Sequence, residues 1–354
     1  MSGIFISDCT ILIFTYERPD FLRRALSYWS ECDVKIIVAD GSEGAAPSVP
    51  DNVLYLHCPG ATITERIITL ANSVDTKYAV YVADDDFIGF EALERSVKFL
   101  KENYGYSSVQ GLYTKFWTLK YFNRVICQPN DYSYSKNYHW NSENYAKRLI
   151  DVNKHKIMHY CYSVVTKSTL KTMTSLFDGI DKSLGNTLFE PLMAYASAIS
   201  GKIKIKNHFY CARQVQLQDW RGIVLYEDFI KNETSDYSQL IRNVVSECKK
   251  QHQETEEEAF KIALSAGHAY LNAVKMKEEF LRNDSFVNKN NYYQIYLRLK
   301  NYLKLYLQMY GVMKIEDVDI SFFDGNKDAI QSYYRDWERI ERVIKNERIN
   351  NIKY

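Results

Sequence analysis

Tyr78-Ala79-Val80-Tyr81-Val82-Ala83-Asp84-Asp85-Asp86 runs six apolar or aromatic residues straight into three carboxylates. A short apolar run bounded by polar residues is what a strand buried on both faces of a parallel sheet looks like. The break at Asp84 then marks the carboxyl end of that strand, the edge at which such sheets bind ligands. Three adjacent carboxylates repel one another, and a cation relieves the repulsion. Hard divalent ions such as Mg2+ or Mn2+ take oxygen ligands and bridge carboxylates to a diphosphate. A solvated acidic turn, or a cap for the next helix, would use the same three residues, so the triplet alone leaves both readings open.

Upstream, Cys9–Thr15 (CTILIFT) predicts a first buried strand, and Pro19 suits the first turn of a helix carrying Leu22, Ala25, Leu26 and Trp29 on one face. Val34–Ala39 predicts a second strand, closed by Asp40-Gly41-Ser42, and Val53–His57 a third. Thr62-x-x-Glu65 is a capping box ahead of Ile63, Ile67, Leu70, Ala71 and Val74 at helical spacing. Downstream, Phe90, Leu93, Val97 and Leu100 mark another helix. Strands alternating with helices in this way predict an α/β fold, a mainly parallel Rossmann-like sheet with helices on both faces.

From 107 to 159 aromatic residues crowd in without clean periodicity, Trp117 and Trp140 among them; they suit core or lid packing, or stacking on a ligand through their apolar faces. Helical spacing returns around Leu170–Phe177 and Leu188–Ile199, and Lys202–Tyr210 (KIKIKNHFY) alternates as a half-exposed strand does. Past residue 220 the character changes. Thr255-x-x-Glu258 caps a helix, Tyr292 to Tyr310 repeats tyrosine and leucine at steps of four and three, and Ile330, Tyr333, Trp337, Ile340 and Ile344 do the same. The expectation is a domain of residues 1–220 followed by an all-helical one of 221–354, whose tyrosine-rich faces suit ligand binding or homo-oligomerisation.

Bulk properties narrow the classes. With 45 basic and 44 acidic residues the net charge is +1, so no global field draws the chain to nucleic acid. Seven dispersed cysteines without a C-x-x-C pair suggest reduced thiols and a cytoplasmic protein. The opening MSGIFISDCTILIF lacks a basic n-region, and no run of about 18 apolar residues offers a membrane span.

Three segments together resemble the GT-A glycosyltransferases, closest to the family 2 type. Ile11-Leu12-Ile13-Phe14-Thr15-Tyr16-Glu17-Arg18-Pro19-Asp20-Phe21-Leu22-Arg23-Arg24-Ala25-Leu26 is similar to that family's first strand, nucleotide loop and helix. Val38-Ala39-Asp40-Gly41-Ser42 is similar to its second-strand motif, and Tyr81-Val82-Ala83-Asp84-Asp85-Asp86 to its D-x-D segment. The resemblance covers about residues 9–215 and does not extend to the helical remainder.

That resemblance implies a set of roles. Thr15, Tyr16 and Glu17 would line a nucleotide pocket, and Asp40 would accept from the base or ribose, unless it serves only the turn before Gly41. Arg66 would lie near the diphosphate, or be a surface arginine. Asp86 would bind the metal directly, Asp84 would contact the ribose or the metal shell, and Asp85 would approach the sugar. Glu190, ahead of Pro191 at a helix start, would be the general base, or simply a helix-capping residue; no family-like acidic pair stands there. Arg213 would grip the leaving diphosphate and His208 would add a metal ligand, although a lone histidine on a strand is more often structural.

The implied function is inverting transfer of a sugar from a nucleotide sugar, UDP-linked, to a glycan, lipid-linked or protein acceptor, with Mn2+ or Mg2+ on the diphosphate. In the resemblance the setting is polysaccharide biosynthesis, in the cytoplasm or at the inner face of the membrane. Two alternatives stand beside it. One is a non-catalytic carbohydrate-binding or scaffold protein of the same fold. The other is a sugar nucleotidyltransferase, which would want a glycine-rich phosphate loop where this chain has Tyr16-Glu17-Arg18-Pro19.

Overall fold

Strands β1 (Ile4–Thr15), β2 (Cys32–Asp40), β3 (Val53–His57) and β4 (Tyr78–Ala83) lie parallel in the order β3-β2-β1-β4. The computed structural model describes residues 4–44, 48–118, 125–128, 140–154, 160–181, 185–214, 234–269, 272 and 326–351. β1 is central because its run Ile11-Leu12-Ile13 is apolar on both faces, and all three residues are fully buried. Between the strands run α1 (Pro19–Trp29) and α2 (Ile63–Asn72). The Thr62–Glu65 capping box is formed: the Glu65 amide donates to Thr62 Oγ1 at 3.3 Å, and the Thr62 amide donates to Glu65 Oε2 at 2.9 Å. Register pairs Thr15 with Asp40 and Phe14 with Ala83, so three strands end level and deliver Thr15, Asp40 and Asp84 to one edge.

After the carboxylates come β5 (Phe87–Ile88), α3 (Phe90–Glu102), β6 (Tyr106–Thr118), β7 (Val125–Gln128), β8 (Val164–Thr166) and β9 (Lys202–Gln214). They extend the sheet as β4-β8-β6-β9-β5, with β7 on β6. β8 is antiparallel to both β4 and β6, and β6 is parallel to β9. Hence β9 points the same way as β1 and β4, and its last residues reach the carboxylate edge. The result is a mixed, mainly parallel sheet with helices.

β6 went unrecognised in the sequence because half of its buried side chains are polar. Ser107, Ser108, Gln110 and Thr114 are all buried. Two of their partners lie far off in the chain: Ser107 Oγ donates to the Ser197 carbonyl at 2.6 Å, and Gln110 Oε1 accepts from Ser163 Oγ at 2.9 Å as well as from nearby Tyr113 OH. Gly111 lets β9 approach, since a Cβ there would lie 2.7 Å from the His208 carbonyl. β9 alternates only in its first half and is continuously buried from His208 to Ala212, so it is an interior strand and not the half-exposed one that KIKIKNHFY suggests. Trp140 is also interior, 4% exposed and edge-on to Tyr160 at 5.6 Å, which removes it from ligand stacking; the Trp117 side chain lies outside the described residues.

The remaining helices are α4 (Tyr145–Lys154), α5 (Lys167–Leu176), α6 (Gly185–Ser200), α7 (Thr234–His252), α8 (256–269) and α9 (Lys327–Asn351). α6 starts at Gly185, so Pro191 sits inside it and Glu190 is in the second turn instead of at the start. An interior proline costs about 3 kcal/mol, and burial outweighs it here: Leu188, Leu192, Met193, Tyr195, Ala198 and Ile199 are all buried. The Thr255–Glu258 box caps α8, with Thr255 Oγ1 2.8 Å from Glu258 Oε2. In α9, Tyr333, Trp337, Ile340 and Ile344 form the expected buried stripe. That stripe packs on the sheet side of α1 and α3, with Trp337 6.0 Å from Phe116 and Tyr333 5.1 Å from Phe209. α7 packs on α5 and α6. The 292–310 repeat lies outside the described residues. Cys9, Cys32, Cys58, Cys161, Cys211 and Cys248 are free thiols, and no helix among the described residues is long and apolar enough to cross a membrane.

Candidate functional site

Thr15 closes β1, is almost fully buried, and donates through Oγ1 to Asp84 Oδ2 at 2.6 Å. The chain then turns sharply, with Glu17 in the left-handed region at φ 53°. Two bonds hold this loop to the one after β2: the Glu17 amide donates to Ser42 Oγ at 2.7 Å, and the Glu43 amide donates to Glu17 Oε1 at 3.0 Å. Glu17 therefore serves the loop's shape. Tyr16 stands between, 52% exposed, with the Arg66 guanidinium 5.6 Å from its ring centroid. An exposed aromatic ring backed by a cation offers a flat face for a planar ligand.

Arg66 is buried in the first turn of α2 and donates through Nη1 to the Thr15 carbonyl. Gly41 makes room for it, since a Cβ at that position would come within 3.0 Å of Arg66 Nε. Asp40 ends β2 with both oxygens oriented. Oδ1 accepts from the Ser42 amide at 2.8 Å and from its hydroxyl at 2.5 Å; Oδ2 accepts from Tyr55 OH at 2.6 Å. Burial and the adjacent Asp40 carboxylate push the Tyr55 hydroxyl pKa up, so Tyr55 stays a donor.

The triplet meets three arginines. Arg18 bridges two of its members, Nη1 to Asp84 Oδ1 at 3.0 Å and Nη2 to Asp85 Oδ2 at 2.7 Å. Arg24 donates to the Asp85 carbonyl at 3.1 Å. Asp86, 2% exposed, accepts from Tyr162 OH at 2.6 Å and Arg213 Nε at 3.1 Å on Oδ2, and from the Gln214 amide at 2.8 Å on Oδ1. Tyr210 steadies this arrangement by donating to the Tyr162 carbonyl at 2.6 Å. Burial and the neighbouring Asp85 raise the Asp84 pKa to about 7, against the opposing pull of Arg18 and Thr15. Burial likewise raises that of Asp86, while Arg213 opposes the shift.

Glu190 projects from α6 toward the same group. Its Oε1 accepts from Cys161 Sγ at 3.7 Å, next to Tyr162, and its charge helps keep Arg213 protonated. Phe189 anchors this turn, with its ring 6.2 Å from Phe14 and 5.0 Å from Tyr81. The structure thus gathers Thr15, Tyr16, Asp40, Arg66, Asp84, Asp85, Asp86, Glu190 and Arg213 along one edge of the sheet. His208 is not among them. It lies five residues before Arg213 on β9, roughly 16 Å away at strand rise. It is buried beside Arg95 and Lys206, and burial depresses its pKa to about 3, so it is neutral.

Among the described residues no three His, Cys, Asp or Glu side chains form a ready ligand set. Asp86, the expected direct ligand, is held by Tyr162, Arg213 and Gln214. The pair Asp84 and Asp85 offers a better place: one oxygen of each converges on a single cationic group, and that group is the end of a flexible, one-third-exposed Arg18. Converging carboxylate oxygens are what a hard divalent cation requires, so Mn2+ or Mg2+ fits there in exchange for Arg18.

Sequence reasoning missed Arg18, Tyr162, Tyr55 and Gln214. Arg18 had a signal, since it precedes Pro19 in the loop after a buried strand. Tyr162 had none, because it belongs to an irregular 3-10 turn, Tyr160–Tyr162.

No family model and no curated protein matches the chain. Among solved structures, its fold is similar to those of S. aureus TarS. TarS 1-349 in complex with UDP aligns with a TM-score of 0.46 at 13% identity, over 72% of this chain and 69% of that one. TarS 1-349 in complex with UDP-GlcNAc aligns with 0.41 at 11% identity, over 77% of this chain and 92% of that one. A further crystal structure of TarS gives 0.39 at 11%, over 76% of this chain and 55% of that one.

Proposed function

We propose that the protein transfers a sugar from a UDP-linked nucleotide sugar to a hydroxyl of a glycan, lipid-linked or protein acceptor, with inversion at the anomeric carbon. The observation that carries this reading is the level ending of β1, β2 and β4, which lines up an oriented Asp40, the Asp84–Asp86 triplet and Glu190 beside Arg213. A carboxylate that can only accept suits the imide N–H of uracil, and the exposed Tyr16 ring suits its face. Arg66 lies behind Tyr16, its guanidinium 5.6 Å from the ring centroid.

Asp84 and Asp85 would hold Mn2+ or Mg2+, which when bound supplies charge neutralisation to the donor diphosphate. Arg18, released from the two carboxylates, would turn its guanidinium to the phosphate oxygens, a bidentate pairing that suits arginine. Glu190 takes the proton of the acceptor hydroxyl as that oxygen forms its bond to the anomeric carbon. The bond from the anomeric carbon to the phosphate oxygen breaks, and the electron pair leaves with the diphosphate. Arg213, kept protonated by Asp86, Glu190 and Tyr162, stabilises the departing charge from a fixed position.

The experiment is calorimetry of the full chain with UDP-, GDP-, dTDP- and CDP-sugars in Mn2+, Mg2+ or excess chelator, alongside a nucleoside diphosphate release assay. Heat and release with one donor, abolished by Asp85→Ala and by chelator, are expected. Glu190→Gln should lower kcat by about 10²-fold or more and leave donor affinity unchanged. Binding of a nucleotide sugar without turnover for any acceptor would favour a non-catalytic binding protein, and no binding at all would end the proposal.

A further inference from the structure

The triplet leads directly into β5 and α3, with Gly89 as the N-cap of α3. Glycine has no side chain to accept from the first-turn amides, and no side chain within the α3 segment supplies the bond. The acceptor comes from the far end of the sequence. Asp336, in the middle of α9 and 0% exposed, places Oδ1 3.4 Å from the Glu91 amide. Glu91 is the second helical residue, where an N-cap side chain makes its bond. Asp336 Oδ2 has no hydrogen-bond partner among the described residues and lies 2.3 Å from where a Cβ on residue 89 would be. Gly89 therefore stands there for the approach of this carboxylate and not for its own dihedral, φ −63°.

The contact is reinforced on every side. Arg339 pairs with Asp336 Oδ1 at 3.1 Å and lies over the Phe90 ring. Arg335 grips both oxygens of Glu91, and Arg95 donates to Ser332 Oγ at 2.7 Å. Meanwhile the segment between the triplet and α3 is short and fixed to β9: the Gln214 amide holds Asp86, and the Gly89 amide donates to the Tyr210 carbonyl at 2.9 Å. A shift at the start of α3 therefore has little chain in which to dissipate before it reaches the carboxylates.

We infer that α9 is a positioning element of the candidate site, with Asp336 capping α3 in trans and so fixing Asp84–Asp86 against β9. For the site's ligand, this rests on the nucleotide-sugar reading. Three full-length variants test it. Asp336→Ala removes the acceptor. Asp336→Asn keeps an acceptor that ranks equally as a cap. Ile344→Ala opens a cavity elsewhere on the same buried face and is expected to be the more destabilising change.

Hydrogen exchange of residues 84–93 should quicken about tenfold in D336A and stay at the wild-type rate in D336N and I344A. The calorimetric Kd for UDP with MnCl2 should weaken by a similar factor in D336A alone. Wild-type exchange at 84–93 in D336A, or loosening in I344A equal to that in D336A, overturns the inference. If D336A does not fold, Asp336→Leu, which fills the space without an acceptor, is judged by the same two outcomes. Failure of the wild-type protein to bind UDP would refute the nucleotide reading, while the exchange comparison would still decide the positioning role.

Discussion

Replacing Asp336 with asparagine should stabilise the protein at neutral pH and do nothing at low pH. Burial, then repulsion by Glu91, raises the Asp336 pKa from 3.8 to about 6, although Arg339, the Glu91 amide and Arg95 pull the other way. A carboxyl group whose folded-state pKa is raised binds its proton more tightly when folded. Its contribution is therefore most favourable below about pH 4 and is lost as pH rises through about 6. The difference of about two pH units corresponds to about 3 kcal/mol at pH 7.5, at 1.36 kcal/mol per unit. Asparagine fills the same space, can accept from the Glu91 amide, and carries no charge to desolvate. At an unfolding entropy of about 2.1 cal/mol/K per residue, 3 kcal/mol is about 4 °C in Tm for a chain of this length. The assay is thermal unfolding of D336N and wild type in a buffer series from pH 4 to pH 8. The gap should open between pH 4 and pH 6.5 and then stay level. A D336N protein no more stable than wild type at pH 7.5, or an equal gap at pH 4, would refute the reasoning.

Four further outcomes follow from the same contacts. Thr15→Val withdraws a donor from buried Asp84 and should cost about 1–3 kcal/mol in denaturant unfolding; a loss below about 0.5 kcal/mol counts against that bond. Arg18→Met should tighten Mn2+ binding in the absence of nucleotide by about tenfold, read from the free Mn2+ signal in electron paramagnetic resonance, and unchanged affinity would mean that Arg18 does not compete with the ion. Tyr55→Phe should weaken UDP binding several-fold by releasing Asp40, and an unaltered calorimetric Kd would separate Asp40 from the base. Gly89→Ala should destabilise the wild-type protein in denaturant unfolding at neutral pH and cost clearly less in an Asp336→Ala background, because the clash is with that carboxylate; an equal cost in both backgrounds would deny their contact.

The amino-terminal half of the sheet and most of its edge residues were legible in the sequence because local chemistry specifies them. Val53–His57 and Tyr78–Ala83 are apolar runs cut off by polar residues, Thr62 and Glu65 cap each other three residues apart, and Thr15, Asp40 and Asp84 each stand where a strand that must be buried ends. Recurrence at 3.6 residues likewise announced the buried face of α9. Tertiary structure decided whatever depends on partners distant in the chain. β6 brings its polar residues into the interior where Ser107 meets Ser197 and Gln110 meets Ser163, and α6 runs through Pro191 only because burial on several sides exceeds the cost of the lost bond. Arg18 crosses from one loop to the carboxylates of another, His208 is held away from them by the direction of β9, and Asp336 caps a helix 245 residues earlier. A hydrogen bond or ion pair across such a separation leaves no periodicity in the chain, since the two groups are specified independently and meet only once the sheet has set their distance.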